Sequence, residues 1–264
     1  MAEARMPHTD NPQESLNSRI HLGVAGWSLR REHADRFSPS GTHLERYASV
    51  FNAVEINSCF YRPHRFSTYQ RWAASVPDDF RFAVKLPKVI THEARLVDAG
   101  AAVDRFLSET AGLGDKRGPI LVQLPPSLSF DAAIGGRFFR ELRDRFDGEL
   151  VFEPRHETWF TTEVELMLVD HRVARVAADP ARVPAAAVPA GFDRLIYLRL
   201  HGSPRTYYSA YPFEELERVT GILETKADLG ISSWCIFDNT ALGAATADAL
   251  TVRSRLLDSE RAIR

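Results

Sequence analysis

The stretch LIYLRLHG, residues 195–202, decides the fold prediction because it alternates apolar and polar side chains. Successive side chains of a β-strand point to opposite faces of its sheet. The apolar members of this stretch therefore share one face, and the other face carries Tyr197, Arg199 and His201. This alternation predicts a strand that packs on helices with its apolar face and presents a polar set on the other face.

Seven further short apolar segments end at or next to Gly, Pro, Asn or Asp. They are His21–Trp27, Ala53–Asn57, Phe80–Lys85, Ile120–Leu124, Leu150–Glu153, Ala174–Ala178 and Trp234–Asp238. Stretches with helical spacing of apolar residues lie between most of them, for example Phe213–Asp228. Strands that alternate with helices predict βαβ units and a parallel sheet.

Eight such units in about 250 residues predict an α/β fold of the TIM (β/α)8 barrel type. An open, doubly wound sheet is the alternative, although no G-x-G-x-x-G follows the first strand. The sixth βα unit is predicted to be irregular, because three prolines in Asp179–Phe192 oppose a long helix. We predict a single domain over residues 19–264, preceded by a disordered polar tail over residues 1–18.

The composition restricts the classes of protein. Of the 264 residues, 44% are hydrophobic and 26% are charged, which is typical of a globular domain. The net charge of −2 argues against a broad nucleic-acid surface. No apolar run approaches the roughly 18 residues of a membrane span. Two cysteines form no disulfide framework, so we expect a cytoplasmic protein. The oligomeric state stays open.

Charged residues recur on the inward face, at the carboxyl ends of the predicted strands. Barrel enzymes place their chemistry at this rim, and buried charges are costly unless they are paired. The charges are mixed, which favours a polar or anionic small molecule bound by arginines, with a carboxylate, histidine or lysine transferring protons. We therefore expect catalytic roles for Glu55, Lys85, Glu153 and His201. The predicted anion ligands are Arg155 and Arg199.

Several runs resemble the DUF72 or YecE-like family, in order and over about residues 22–250. They are VAGWS (24–28), FNAVEINSCFYRP (51–63), FRFAVKLPKVITH (80–92), GPILVQLPPS (118–127), FEPRHETW (152–159), YLRLHG (197–202) and FDNT (237–240). The resemblance implies a single TIM-barrel domain and no established reaction. The first loop departs from the family, since EHADRFSPSG (32–41) replaces an aromatic-rich W-x-G-x-F-Y-P segment.

Further residues in the family-like runs complete the predicted substrate site. They are Trp27, Asn57, Tyr61, Gln123, His156 and Asn239. Aromatic side chains near the rim stack on a sugar or base, or simply cover the barrel top. Asn239 or Thr240 is expected to cap the last helix, which would favour an anion at its N-terminus. Lys85 is either a nucleophilic amine, as in Schiff-base barrels, or the partner of Glu55 or Glu153 in a salt bridge.

These residues predict a metal-independent acid–base or hydrolytic step on a small anionic or sugar-like compound, without a cofactor. The first alternative is a metal-dependent phosphodiesterase or nuclease, in which carboxylates such as Asp179 and Asp238 act with His201 as ligands. No H-x-H or H-E-x-x-H pair fixes such ligands locally. The second alternative is a barrel that binds a ligand without catalysis.

Overall fold

The structure is a computed structural model that describes residues 18–263. The tail predicted over residues 1–18 therefore lies outside the described residues, apart from Ser18. The strands are β1 (Ile20–Val24), β2 (Ala53–Ile56), β3 (Arg81–Lys85), β4 (Arg117–Gln123), β5 (Leu150–Glu153), β6 (Val173–Arg175), β7 (Ala177–Asp179), β8 (Ala190–Gly191), β9 (Leu195–Leu200) and β10 (Ser232–Phe237). The helices are α1 (His43–Ala48), α2 (Ser58–Tyr61), α3 (Phe66–Ala74), α4 (Gly100–Thr110), α5 (Ala132–Arg145), α6 (Thr162–Asp170), α7 (Phe213–Asp228) and α8 (Ala244–Ile263).

The strands form two sheets, with the orders β1-β10-β9-β7 and β2-β3-β4-β5-β6-β8. All strand pairs in them are parallel except β6 with β8. Along the chain, Val176 alone separates β6 in one sheet from β7 in the other. At the other side, Ala25 and Glu55 form an isolated parallel bridge between the ends of β1 and β2. The predicted α/β class with parallel strands is confirmed.

The sixth connection is irregular, as its three prolines predict. The predicted strand Ala174–Ala178 is divided into β6 and β7, and the chain then forms a short 3₁₀ turn over Pro184–Ala187. The two-residue strand β8 returns antiparallel to β6. No α-helix forms between β7 and β9 in this described segment, because proline lacks the N–H that a helix interior needs.

The two faces of the strands differ in composition. On one face, residues such as Val54, Phe82 and Val122 belong to the main apolar core, which includes helix residues such as Phe106 and Leu223. The other face carries a smaller apolar cluster: Ala53, Ala83, Leu121, Val151, Ala174, Val176, Leu195, Tyr197, Trp234 and Ile236. The predicted inward residues follow this second cluster in sequence, at the carboxyl ends of the strands. The alternation in the sequence therefore assigned the faces correctly.

The seam between β1 and β2 leaves no room for a side chain at Gly23. A Cβ atom there would lie 1.9 Å from the Ala53 carbonyl oxygen and 2.6 Å from the Tyr47 hydroxyl. That hydroxyl joins the two strands, because it accepts from Val24 N–H and donates to Ala53 O, both at 2.8 Å. The Gly23→Ala variant is therefore expected to lose about 1–3 kcal/mol of unfolding free energy in urea denaturation.

Gly136 provides the matched control. It lies in α5, and a Cβ atom there would meet nothing within 4 Å. Alanine has the higher helix propensity, so Gly136→Ala should gain up to about 1 kcal/mol. Equal effects of the two substitutions would contradict the close approach of β1 and β2.

Candidate functional site

Arg199 is the centre of a buried charged cluster at the carboxyl ends of the strands. Its Nη2 and Nε atoms donate to Glu55, with a shortest distance of 2.7 Å to Oε1. Its Nη1 atom lies 3.2 Å from Glu153 Oε2, and Nη2 lies 2.9 Å from Asp238 Oδ2. Tyr197 donates its hydroxyl to Glu55 Oε2 at 2.8 Å. The Arg199 guanidinium is fully buried. Each of its three nitrogen atoms contacts a carboxylate of the protein.

His201 connects two of these carboxylates. Its Nε2 atom lies 3.0 Å from Glu153 Oε1, and its Nδ1 atom lies 3.1 Å from Asp238 Oδ2. A ring with an acceptor at each nitrogen is satisfied when both nitrogens carry protons. Gln123 completes the cluster by donating to Glu153 Oε2 at 2.9 Å. The arrangement therefore stabilises an imidazolium at His201.

The pKa values follow from these contacts. Burial and the Arg199 guanidinium, whose Nη1 atom lies 3.2 Å from the ring Nε2, lower the pKa of His201, but the charge of Glu153 and the hydrogen bonds to both carboxylates outweigh them and raise this pKa above 6.5. Burial raises the pKa of Glu153, but Arg199 and His201 outweigh it and hold this pKa well below its ordinary value. Arg199 and His201 likewise lower the pKa of Asp238 against burial. The shifts of Glu153, Asp238 and His201 thus all favour the charged forms of these three residues.

We predict that His201 stays protonated at pH values where an ordinary histidine is neutral. Its raised folded-state pKa adds stability that is fully present below the unfolded-state value of about 6.5 and is lost as the pH rises through the folded-state pKa. An NMR titration of the histidine ring nitrogens measures this directly. His21 is the internal control, because burial and then Arg81 lower its pKa to about 4. A His201 midpoint below that of exposed histidines would contradict the prediction.

Lys85 lies at the edge of the cluster without an ion pair. Its Nζ atom lies 4.1 Å from the centroid of the Phe60 ring. Within residues 18–263, no carboxylate lies within 4.0 Å of this amine and none accepts a hydrogen bond from it. Lys85 keeps 9% of its surface exposed. The structure thus does not contain the salt bridge to Glu55 or Glu153 that the sequence left open.

Comparison with protein families places the chain. A family model described as "Protein of unknown function DUF72" matches residues 21–263. The chain belongs to the DUF72 family. Curated relatives of this DUF72 protein include UPF0759 protein YecE of Escherichia coli K12, 32% identical over 177 residues, which are 63% of this chain and 61% of that protein. UPF0759 protein YunF of Bacillus subtilis is 26% identical over 116 residues, 40% of each chain. The chain thus spans less than two thirds of the length of these relatives.

Solved structures of DUF72 family proteins have the same fold. One from Enterococcus faecalis V583 matches with a TM-score of 0.74 and 22% identity, over 90% of this chain and 95% of that chain. Another from Thermotoga maritima MSB8 matches with a TM-score of 0.73 and 22% identity, over 90% of this chain and 99% of that chain. At this identity the likeness supports the fold alone.

The other predicted residues of this DUF72 protein lie at the rim or outside the cluster. Arg155 approaches it, with Nε 3.8 Å from Glu153 Oε1. Asn57 is half-buried, and its Oδ1 atom is enclosed without a hydrogen-bond partner within the described part of the chain. Trp27 packs on Trp72 at 4.9 Å between ring centroids. Tyr61 is 74% exposed.

His156 and Asn239 serve the neighbouring loops. The His156 Nδ1 atom contacts Thr158 Oγ1 at 3.0 Å and accepts from the Thr158 N–H. The Asn239 amide nitrogen donates to Ser209 O and to Asp248 Oδ2. The prediction that Asn239 or Thr240 caps the last helix is wrong, because α8 begins at Ala244, directly after Gly243, and the Asn239 side chain donates to Asp248 within the helix.

The predicted catalytic and binding set for this DUF72 protein omitted two members of the cluster. Tyr197 occupies an inward position of the same alternating stretch as Arg199, and Asp238 directly follows β10. Both signals were present in the sequence, as strand alternation and as a strand end. Their contacts with Glu55 and Arg199 depend on how β2, β9 and β10 are arranged in space. Strand alternation does not specify that arrangement.

A protein metal site needs several ligating side chains around one point. No group of three or more His, Cys, Asp or Glu side chains in the described part of the DUF72 chain is arranged to hold a metal ion. Arg199 occupies the space between Glu55, Glu153 and Asp238, where a metal would otherwise balance their charge.

Among residues 18–263, every helix is too short or too polar to span a bilayer.

Proposed function

We propose that this DUF72 protein is a cytoplasmic enzyme that performs a metal-independent acid–base or hydrolytic step on a small anionic or sugar-like compound. The observation that carries the proposal is the buried cluster of Arg199, His201 and three carboxylates at the strand ends. Desolvating so many charges is unfavourable, and strongly perturbed pKa values in one place favour a functional site over a purely structural one.

The contacts suggest a division of roles. Arg199 has its donors on Glu55, Glu153 and Asp238, so we assign it the positioning of these carboxylates rather than the substrate. Arg155 is partly exposed and only loosely paired at 3.8 Å, which suits an anion contact. Asp238 keeps 7% of its surface exposed and bonds to His201. Protons would therefore move between substrate, Asp238 and His201.

We further propose that the two sheets are the two halves of one closed TIM (β/α)8 barrel. Three observations support closure: the Ala25–Glu55 bridge, the single residue between β6 and β7, and the inner apolar cluster that draws on both sheets. The open, doubly wound alternative would place helices on both faces of the sheet. A crystal structure with continuous pairing of β1 with β2 would establish the barrel.

Deuterium incorporation tests the function on many candidate substrates at once. The protein is incubated in D₂O with panels of sugar phosphates and sugar acids, and C–H exchange or conversion is followed by proton NMR. We expect turnover of at least one compound, unaffected by EDTA and reduced about 10²-fold or more in Asp238→Asn. The exposed-pair variant Glu109→Gln should behave like the wild type, because Glu109 lies near the end of α4 and pairs with Arg105 on the same helix.

The other outcomes identify the alternatives. Activity that EDTA removes and that zinc or manganese restores would establish the metal-dependent phosphodiesterase or nuclease. Stoichiometric binding of a panel compound with no exchange or conversion would establish a non-catalytic binding protein. Either result would overturn the proposal.

A further inference from the structure

Lys85 differs from the other lysines of the chain. The sequence contains four: Lys85, Lys88, Lys116 and Lys226. Lys88 pairs with Glu93 at 2.9 Å. Lys116 donates to the carbonyl oxygens of Ala73 and Val76. Lys226 lies half-buried on α7. Lys85 alone of the four ends a strand on the inward face, beside the charged cluster.

The surroundings of Lys85 favour the neutral amine. Its Nζ atom lies over the Phe60 ring, and this cation–π contact favours the charged form, but no carboxylate of the described residues lies within 4.0 Å of the amine. The nearest acids are Glu55, Glu153 and Asp238, and all three are engaged by Arg199. Burial and then the charge of Arg199 lower the pKa of Lys85 to about 8, against the attraction of these acids. At neutral pH about a tenth of the molecules then carry an uncharged, nucleophilic amine.

Two rim groups next to Lys85 supply recognition. Strands β2 and β3 pair in register up to Ile56 and Val84, so Asn57 and Lys85 follow side by side. The Asn57 Oδ1 atom is enclosed and has no hydrogen-bond partner within the described part of the chain, so it would accept from a ligand hydroxyl only after the side chain rotates. Arg155 lies on the other side, beside Glu153, and offers a cation for a carboxylate or phosphate. Asn57, Lys85 and Arg155 thus lie at or just after the carboxyl ends of β2, β3 and β5, which belong to one sheet.

We infer that Lys85 forms an imine with an aldehyde or ketone that carries an anionic group, which makes such carbonyl compounds the substrate class of the proposed enzyme. This inference rests on the proposed function. The Nζ–C bond forms when the amine attacks the carbonyl carbon. The carbonyl oxygen takes one proton from the amine and one from solvent, the C–O bond breaks, and water leaves. The cationic iminium then replaces the ammonium beside the cluster carboxylates.

Reductive trapping tests the inference independently of turnover. The full-length protein is treated at about pH 7 with glyoxylate or with acetaldehyde, in the presence of cyanoborohydride, and labelled sites are quantified by peptide mass mapping. Both probes are small aldehydes, and only glyoxylate carries a carboxylate. We expect glyoxylate to label Lys85 at least about tenfold faster than Lys226, because the lowered pKa of Lys85 increases the neutral fraction of its amine. Peptide mapping separates the α-amino group from the lysines.

Variants assign the two parts of the site. Lys85→Met should lose the fast label, and Lys226→Arg should keep it. Arg155→Met should reduce the preference of Lys85 for glyoxylate over acetaldehyde about fivefold or more, while acetaldehyde labelling persists. Labelling of Lys85 no faster than that of Lys226 by either probe would overturn the inference.

The two proposals can fail separately. Slow labelling of Lys85 together with metal-independent exchange in D₂O would end the imine proposal and leave the enzyme proposal standing. Fast, Arg155-dependent labelling together with no turnover of any panel compound would support the amine site and overturn the proposed function. Equal labelling rates with both probes would overturn the anionic part of the substrate class.

Discussion

Replacing Arg199 with methionine is expected to lower the free energy of unfolding by about 3–5 kcal/mol. The loss arises because Glu55, Glu153 and Asp238 would keep their burial and lose the cation that pairs with all three. Among the remaining cations of residues 18–263, only His201 contacts two of these carboxylates closely, and Arg155 is 3.8 Å from Glu153. Methionine nearly preserves the volume of the arginine stem, so packing contributes little to this expected effect.

Urea denaturation at about pH 7 measures this loss. The control is Arg105→Met, which breaks an exposed i,i+4 pair with Glu109 and should change stability by about 0.5 kcal/mol or less. A double variant, Arg199→Met with Glu55→Gln, should be more stable than the sum of its single variants predicts, because the neutral amide removes one unpaired charge. Additive losses in this cycle would show that Arg199 stabilises the fold through packing and not through Glu55.

The strands could be predicted from the sequence because the side chains within each one alternate between the two faces of the sheet, with a repeat of two residues. The bounds of the predicted segment Leu150–Glu153 match β5, and β9 begins where the alternating stretch 195–202 begins and ends two residues before its end. Strand alternation also placed Glu55, Lys85 and Arg199 on the inward face. The division of the sixth strand at Val176 could not be predicted, since β6 pairs with β5 and β7 pairs with β9. That division depends on which neighbours the strand meets in space.

The sequence predicted which residues lie in the site better than it predicted which of them form ion pairs with each other. The sequence favoured Arg199 as a substrate ligand, whereas its guanidinium is enclosed by three carboxylates. It left open a salt bridge at Lys85, whereas the amine lies over Phe60 and within 4.0 Å of no carboxylate among residues 18–263. Both differences have one cause: Arg199 presents a planar fork that reaches several carboxylates at once, and Lys85 is left with none. The residue types and the strand face to which they point do not determine which cation pairs with which carboxylate.

Because Arg199 pairs with the nearby carboxylates and Lys85 does not, we predict that the charge of Lys85 destabilises the fold. Burial and Arg199 lower its pKa from 10.5 to about 8, which corresponds to an unfavourable free energy of about 3 kcal/mol when the amine is protonated. Lys85→Met removes the charge and keeps an unbranched side chain beside Phe60. We therefore expect this variant to be more stable than the wild type by about 1–3 kcal/mol at about pH 7.

The pH dependence provides the sharper measurement. Below the folded-state pKa of about 8, both the folded and the unfolded chain hold the Lys85 proton, and the penalty is fully present. Between this value and the unfolded-state pKa of about 10.5, the unfolded chain binds more protons, so wild-type stability rises relative to the variant. The stability difference between Lys85→Met and wild type should thus shrink from about pH 7.5 to about pH 9.5. A variant that is less stable at neutral pH would mean that the protonated amine is stabilised by the cluster, and an amine so stabilised would be a poor nucleophile.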